Sequence, residues 1–408
     1  MRLIHTSDWH LGQTLHGQER EYEHRCFLNW LLQQLQQHRS DALLIAGDVF
    51  DNPNPSVSAQ ELLYDFILRA HQQNPQLQIV MIAGNHDSGA RIELPAPLMQ
   101  SLNTHALGRV YGQEPSDYQR LCLPLRNAQG SIEAWCLAIP FLRPTEIIGQ
   151  RLGSQYLEAA QQVHLELLEQ AEHKRQAGQA LIALTHTHLI GGVISEDSER
   201  NICIGNAEAM PASLFPESIS YVALGHLHRP QQVGGQNRLR YSGAPIPLSF
   251  TEANYPHQVL CVELQGEQLQ NIHSVPVPRA VNMQRLGPAP LDQILTHIQA
   301  LPQHQGPQET YPWLEIRVQL EEPLPDLRPR LEAALGDKHY RLIRINPLYP
   351  ALHQTPTEPL IELDQIAPDE LFSRAWAEQH SGHPPSPELM NDFAQLIQQV
   401  NLTEETTL

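Results

Sequence analysis

Apolar residues recur along the first 275 positions in two alternating rhythms. Short continuous runs at 2–6, 41–46, 78–83, 133–139, 180–185, 220–224, 239–242 and 258–264 have the length of buried strands. Several of them open into polar, glycine-containing loops. Helical patterns lie between the first of these runs. Residues 20–38 place Cys26, Phe27, Trp30, Leu31 and Leu35 near a 3.6-residue spacing, and 56–72 follow a proline-rich start. Buried strands that alternate with helices and end in polar loops predict an α/β sandwich with its loops clustered at one sheet edge.

The pattern changes near Val275-Pro276-Val277-Pro278. The next block, to about 346, reads as a small α/β unit with strands at 313–320 and 340–345 and helices at 291–301 and 327–335. Pro347, Pro350, Pro356 and Pro359 then mark a linker over 347–364. Residues 365–402 carry two amphipathic helical patterns, 368–379 and 387–400. Their apolar stripes are Leu371, Phe372, Ala375 and Trp376, then Leu389, Phe393, Leu396, Ile397 and Val400. Such a pair either packs on its own chain or docks on a partner, and the proline-rich tether favours docking. Residues 401–408 read as a frayed tail. The expected organisation is therefore 1–275, 276–346, a linker at 347–364, and a helical pair at 365–402.

Composition narrows the class. A chain of 408 residues is too long for one ordinary domain, and 41 % hydrophobic residues suffice for packed cores. No apolar run is long enough to span a bilayer, and Met1 to His5 runs into a strand without a signal-peptide pattern. A cytoplasmic protein without a membrane partner is expected. The five cysteines, Cys26, Cys122, Cys136, Cys203 and Cys261, are scattered and unpaired in pattern, as suits free thiols in a reducing compartment. The formal charge of −19 argues against gripping nucleic acid through a basic surface of the chain's own. It leaves a nuclease possible, because bound divalent ions change the local field and a partner subunit can supply basic surface.

The chemistry lies in five segments, each after a strand-like run: Asp8-Trp9-His10, Gly47-Asp48-Val49-Phe50-Asp51, Gly84-Asn85-His86-Asp87, Thr185-His186-Thr187-His188 and Gly225-His226-Leu227-His228. Each alone is weak, since Asp, Asn and His are ordinary turn residues. Together they form an ordered set of oxygen and nitrogen donors at strand ends, with no thiolate, enough for two ions of the Mn, Mg, Fe or Zn type. In an extended segment, residues two apart point the same way, so Asp8 and His10 can share an ion. The same rule leaves both His186 and His188 open as a ligand. A carboxylate at a buried strand end needs a cation or donors, and the two oxygens of Asp48 allow it to bridge two ions. His86 is suited to proton transfer.

This order resembles the signature of calcineurin-like metallophosphoesterases. Asp8-Trp9-His10-Leu11-Gly12, Gly84-Asn85-His86-Asp87-Ser88, Ile139-Pro140-Phe141-Leu142-Arg143-Pro144, Gly225-His226-Leu227-His228-Arg229-Pro230 and Tyr241-Ser242-Gly243-Ala244-Pro245 bring it closer to the SbcD nuclease family. The resemblance is specific through about residue 265 and mainly architectural beyond. It implies a four-layer αββα sandwich with a smaller α/β capping domain and a C-terminal helical pair. It places Asp8, His10, Asp48 and His228 on one metal and Asp48, Asn85, His186 and His226 on the other, with His86 as the catalytic non-ligand. Asp51 is expected to hydrogen-bond to a ligand. The implied ions are two divalent metals, Mn²⁺ or Mg²⁺. The implied partners are DNA and the SMC-like ATPase SbcC, in a heterotetramer built on a homodimer. The implied activity is ATP-dependent 3′-to-5′ double-strand exonuclease and single-strand or hairpin endonuclease cleavage, in recombination, replication and repair near the nucleoid. A phosphodiesterase for small or cyclic nucleotides would use the same site, but would leave the extra domain and terminal helices without a use. Serine/threonine phosphatases carry GDxVDRG and GNHE, whereas Asp51-Asn52 and Asp87 stand at the corresponding places here.

Overall fold

The protein is described by a computed structural model over residues 1–110, 115–147, 156–193, 195 and 209–349, and at positions 372, 376, 385, 386, 389, 390 and 393. Two compact units divide it, Met1–Leu348 and Tyr349–Leu408.

Two six-stranded sheets make up most of the first unit. The first has the order β14-β13-β1-β4-β5-β6, with β1 Arg2–Thr6, β4 Ala42–Ala46, β5 Gln78–Ile82, β6 Thr104–Leu107, β13 Gln258–Gln265 and β14 Gln268–Pro276. The second has the order β11-β12-β10-β9-β8-β7, with β7 Cys122–Arg126, β8 Ile132–Ile139, β9 Ala180–His186, β10 Tyr221–Gly225, β11 Gln231–Val233 and β12 Gln236–Tyr241. Strands β1, β4, β5 and β6 run parallel, as do β8, β9, β10 and β12; the antiparallel strands lie at the margins. A two-residue hairpin, β2 Thr14–Leu15 and β3 Gln18–Glu19, stands apart.

Alternation along the strands builds the layers. In β4, Leu44 and Ala46 face the second sheet and join a core with Val80, Ile182, Leu184 and Val222. Leu43 and Ile45 face the other way, against Phe27 and Leu31 of α1 (Glu21–Gln37) and Leu63 and Phe66 of α2 (Val57–Gln73). The short helices α3 Gly89–Glu93, α4 Ala96–Met99 and α5 Pro144–Ile147 follow strand ends. Helix α6, Tyr156–Lys174, covers the second sheet with Ala159, Val163 and Leu167. The result is the four-layer αββα arrangement that the motif order implied.

The third sheet, β15-β16-β17, consists of Met283–Pro290, Trp313–Gln319 and Arg341–Leu348, all parallel. Helices α7 (Leu291–Ala300) and α8 (Leu327–Leu335) cover one face around Ile294, Leu314, Ile316 and Leu331. On the other face Val281, Met283 and Trp313 pack with Leu15 and Phe250 of the larger sandwich. Strand β17 runs through Pro347 to Leu348, so ordered structure continues past the expected linker start at 347. Pro347 is no obstacle there, because β17 is an edge strand and tolerates a missing N–H.

In the second unit the expected helices at 368–379 and 387–400 lie mostly outside the described residues. Phe372, Trp376, Leu389, Met390 and Phe393 are helical. Ser386 Oγ accepts the Leu389 N–H at 3.3 Å, as an N-cap does, and the rings of Phe372 and Phe393 stack at 4.1 Å.

Candidate metal centre

The parallel strands bring their C-terminal ends to one edge of each sheet, and the two edges meet. Asp8 N–H donates to Gly47 O and His10 N–H to Asp48 O, so the loops after β1 and β4 are laced together. His226 N–H donates to Asp8 Oδ1 at 3.0 Å, which joins the loop after β10. His186, the last residue of β9, places Nδ1 2.8 Å from Ala46 O across the sheets.

The way the side chains converge differs from the extended-segment expectation. Asp8, His10, Asp48 and His226 all have positive φ, at 54°, 46°, 47° and 106°. For non-glycine residues this is sparsely populated backbone, costing ~1–3 kcal/mol each and held only by the surrounding packing. The left-handed turns aim the side chains at one point. His226 and His228 consequently separate: His226 Nδ1 lies 3.2 Å from Asn85 Oδ1, while His228 groups with Asp8 and His10.

Three clusters bring ligand atoms within 4.8 Å of one another: Asp8, His10 and His228; His10, Asp48 and His86; Asp8, Asp48 and His186. Asn85 Oδ1 joins them, 2.9 Å from His186 Nε2. The seven expected ligands and His86 thus surround one crevice. Strand β9 ends at His186, and the half-buried ring of His188 lies beyond it, 6.2 Å from that of His226.

The donor set fits cations on its own geometry. Carbonyl oxygens only accept, so Nδ1 of His186 against Ala46 O and Nδ1 of His86 against Asp51 O (2.9 Å) must each carry the proton. His10 Nδ1 faces Asp51 Oδ1 at 3.2 Å, and His228 Nδ1 faces Glu252 Oε1 at 2.9 Å. Each ring is thereby oriented through Nδ1, as in metal-binding histidines, and Nε2 of His186 lies against Asn85 Oδ1. His10 Nε2 is buried without a hydrogen-bond partner, 3.5 Å from Asp48 Oδ2. A lone pair in that position suits a shared cation.

The electrostatics agree. Burial disfavours a charged His186, but the carboxylates of Asp48 and Asp8 outweigh it and raise its pKa to about 9. Burial likewise works against ionised Asp48, yet His186 and His10 hold it well below the usual range. Burial, with His186 beside it, pushes His226 well below the usual imidazole value. The buried carboxylates of Asp8 and Asp48 thus favour positive charge at His186, while His226 beside it is held neutral.

Several supports had no separate reading in the sequence. Asp87 accepts from the backbone N–H groups of Val49 (3.1 Å), Phe50 (2.9 Å) and Gly84 (2.8 Å), pinning the loops after β4 and β5 together. Burial and the neighbouring Asp48 raise its pKa to about 6 despite those three donors. Arg143 donates to Gly84 O and Asp87 O, which gives the Ile139–Pro144 motif a task. Tyr241 Oη donates to Thr187 O, and the Ser242 and Ser7 hydroxyls are hydrogen-bonded beside Asp8. At Gly84 a Cβ would strike Asp48 Oδ1, and at Gly225 it would strike Ala46 O, so these two close approaches require glycine.

Comparison with known proteins is consistent along the chain. The family model described as calcineurin-like phosphoesterase matches residues 1–230. The model described as type 5 capsule protein repressor C-terminal domain matches 279–380. A Rhodobacter capsulatus protein, named as the SbcD component of the SbcCD nuclease, is 40 % identical over 385 residues, covering 92 % of this chain and 94 % of the relative. Proteins of the same name from Escherichia coli K12 and Bacillus subtilis 168 are 36 % and 30 % identical, covering 82 % and 97 % of both chains respectively.

Proposed function

Because the chain belongs to the calcineurin-like phosphoesterase family and, within it, to the SbcD components of SbcCD nucleases, we propose that it hydrolyses DNA phosphodiesters at a two-ion centre as the partner of SbcC. In this reading Asp8, His10, Asp48 and His228 hold one divalent ion and Asp48, Asn85, His186 and His226 the other. The oxygen and imidazole donors, with no thiolate, suit Mn²⁺, with Mg²⁺ as the substitute. The observation that carries the reading is the convergence of His10, His186 and His228, each oriented through Nδ1, on the buried carboxylates of Asp8 and Asp48.

When bound, two such ions supply Lewis-acid polarisation of phosphate and a water acidic enough to attack phosphorus. The protein's part is positioning and proton transfer. Asp51 orients His10 through its carboxylate and His86 through its backbone carbonyl. His86, anchored at Nδ1, would as an imidazolium give its Nε2 proton to the leaving oxygen or stabilise charge developing on phosphate.

At the larger scale, residues 1–275 form the nuclease domain, 276–346 the capping domain, and 365–402 the SbcC docking pair beyond a tether. The working form is a homodimer within a heterotetramer, acting on DNA in the cytoplasm, with 3′-to-5′ exonuclease and hairpin endonuclease action driven through the ATPase. The test is the purified chain with Mn²⁺, with and without SbcC, on linear duplex DNA, bis-p-nitrophenyl phosphate and a phosphopeptide. Cleavage of the DNA and the diester is expected. Release of phosphate from the peptide with DNA left intact would sink the reading.

A further inference from the structure

Glu252 belongs to none of the motifs, yet it is fully buried beside the metal centre. It sits in a short helical turn, Phe250–Asn254. Its Oε1 lies 2.9 Å from His228 Nδ1, and its Oε2 accepts the Leu248 N–H at 2.8 Å. The Glu252 carbonyl lies 3.0 Å from His257 Nε2. A buried carboxylate is costly unless donors satisfy it, and here both oxygens have one.

We infer that Glu252 is the positioning residue of His228 and that its turn ties this ligand to the capping unit. The carboxylate holds the His228 proton on Nδ1 and so presents a basic Nε2 to the crevice. Two residues before it, Phe250 is buried in the cluster that joins the sandwich to the cap, against Val281, Met283 and Trp313. The carboxylate that aims His228 is therefore carried on a turn seated against two strands of the third sheet. Displacing the cap shifts Phe250, then Glu252, then the ring.

The inference rests on His228 being a metal ligand. The experiment is Mn²⁺ titration calorimetry on the full chain, wild type against Glu252→Gln and Phe250→Ala, with thermal unfolding in EDTA alongside. In Glu252→Gln one of two ions is expected to bind about 10- to 100-fold more weakly while the other is unchanged. DNA cleavage lost at limiting Mn²⁺ returns at saturating Mn²⁺. Phe250→Ala keeps the carboxylate and is expected to weaken the same ion; it decides the matter if Glu252→Gln does not fold. Wild-type affinity for both ions in either folded variant overturns the inference. So does an equal weakening of both ions accompanied by a lower unfolding temperature in EDTA, which marks a structural role alone. Failure of the wild type to bind two ions defeats the proposed function instead.

Discussion

His186 lies fully buried near the carboxylates of Asp48 and Asp8, and its pKa is raised from 6.5 to about 9. A histidine raised in the folded state contributes stability that is complete below about pH 6.5 and lost as pH rises through about 9. Calorimetry in EDTA should therefore show the unfolding temperature falling across that window; a flat profile would show that the ring holds no such proton. A cation must displace the same proton, so Mn²⁺ affinity should rise about tenfold per pH unit over the same range. For His86 the proposed role is proton transfer. His86→Ala is expected to retain both ions and lose ~100- to 10,000-fold in turnover; cleavage of DNA at wild-type rate would remove His86 from the chemistry. These residues were legible because their types are chemically specific and their order is distinctive. Asp87 and Glu252 were not. Their roles are hydrogen bonds to Val49 and Phe50 and to His228, and nothing in the local sequence announces such partners.

The elements that carry the candidate ligands were legible as apolar runs, because a strand covered on both faces has no polar side to interrupt it. Strands β1, β4, β5, β9 and β10 fall close to the runs read from the sequence. Helix α6 was not singled out, since its buried face consists largely of Ala159, Ala160 and Ala171, which give weak apolar contrast. The marginal strands β7 and β11 are short and half-exposed in part, and each pairs only with the strand that follows it in a local hairpin, so neither shows the continuous apolar run of a strand buried on both faces. The loops between elements depend on few anchors. Asp87→Ala leaves three buried backbone donors without their acceptor and is expected to destabilise by about 3 kcal/mol or more, read by chemical denaturation. A loss below about 1 kcal/mol would show that water replaces the carboxylate. Gly84→Ala drives a methyl into Asp48 and should lower metal affinity more than it lowers stability.

Taken whole, the molecule joins an acidic chain to a polyanionic substrate. A formal charge of −19 repels DNA at long range, and divalent ions or a partner subunit must offset it. The layered sandwich was legible from strand–helix alternation. The seating of the cap on Phe250 was not, because an apolar residue in a loop does not reveal which surface it meets. For the terminal helices, deletion of residues 365–408 should abolish co-purification with SbcC while Mn²⁺-dependent cleavage of simple substrates survives; unchanged co-purification counts against docking there. Asp48 is proposed to be shared by two divalent ions. Metal content per chain, measured by mass spectrometry after Mn²⁺ loading and desalting, tests it most directly. Two ions are expected in the wild type and neither retained in Asp48→Ala; two ions retained in that variant would contradict the bridge.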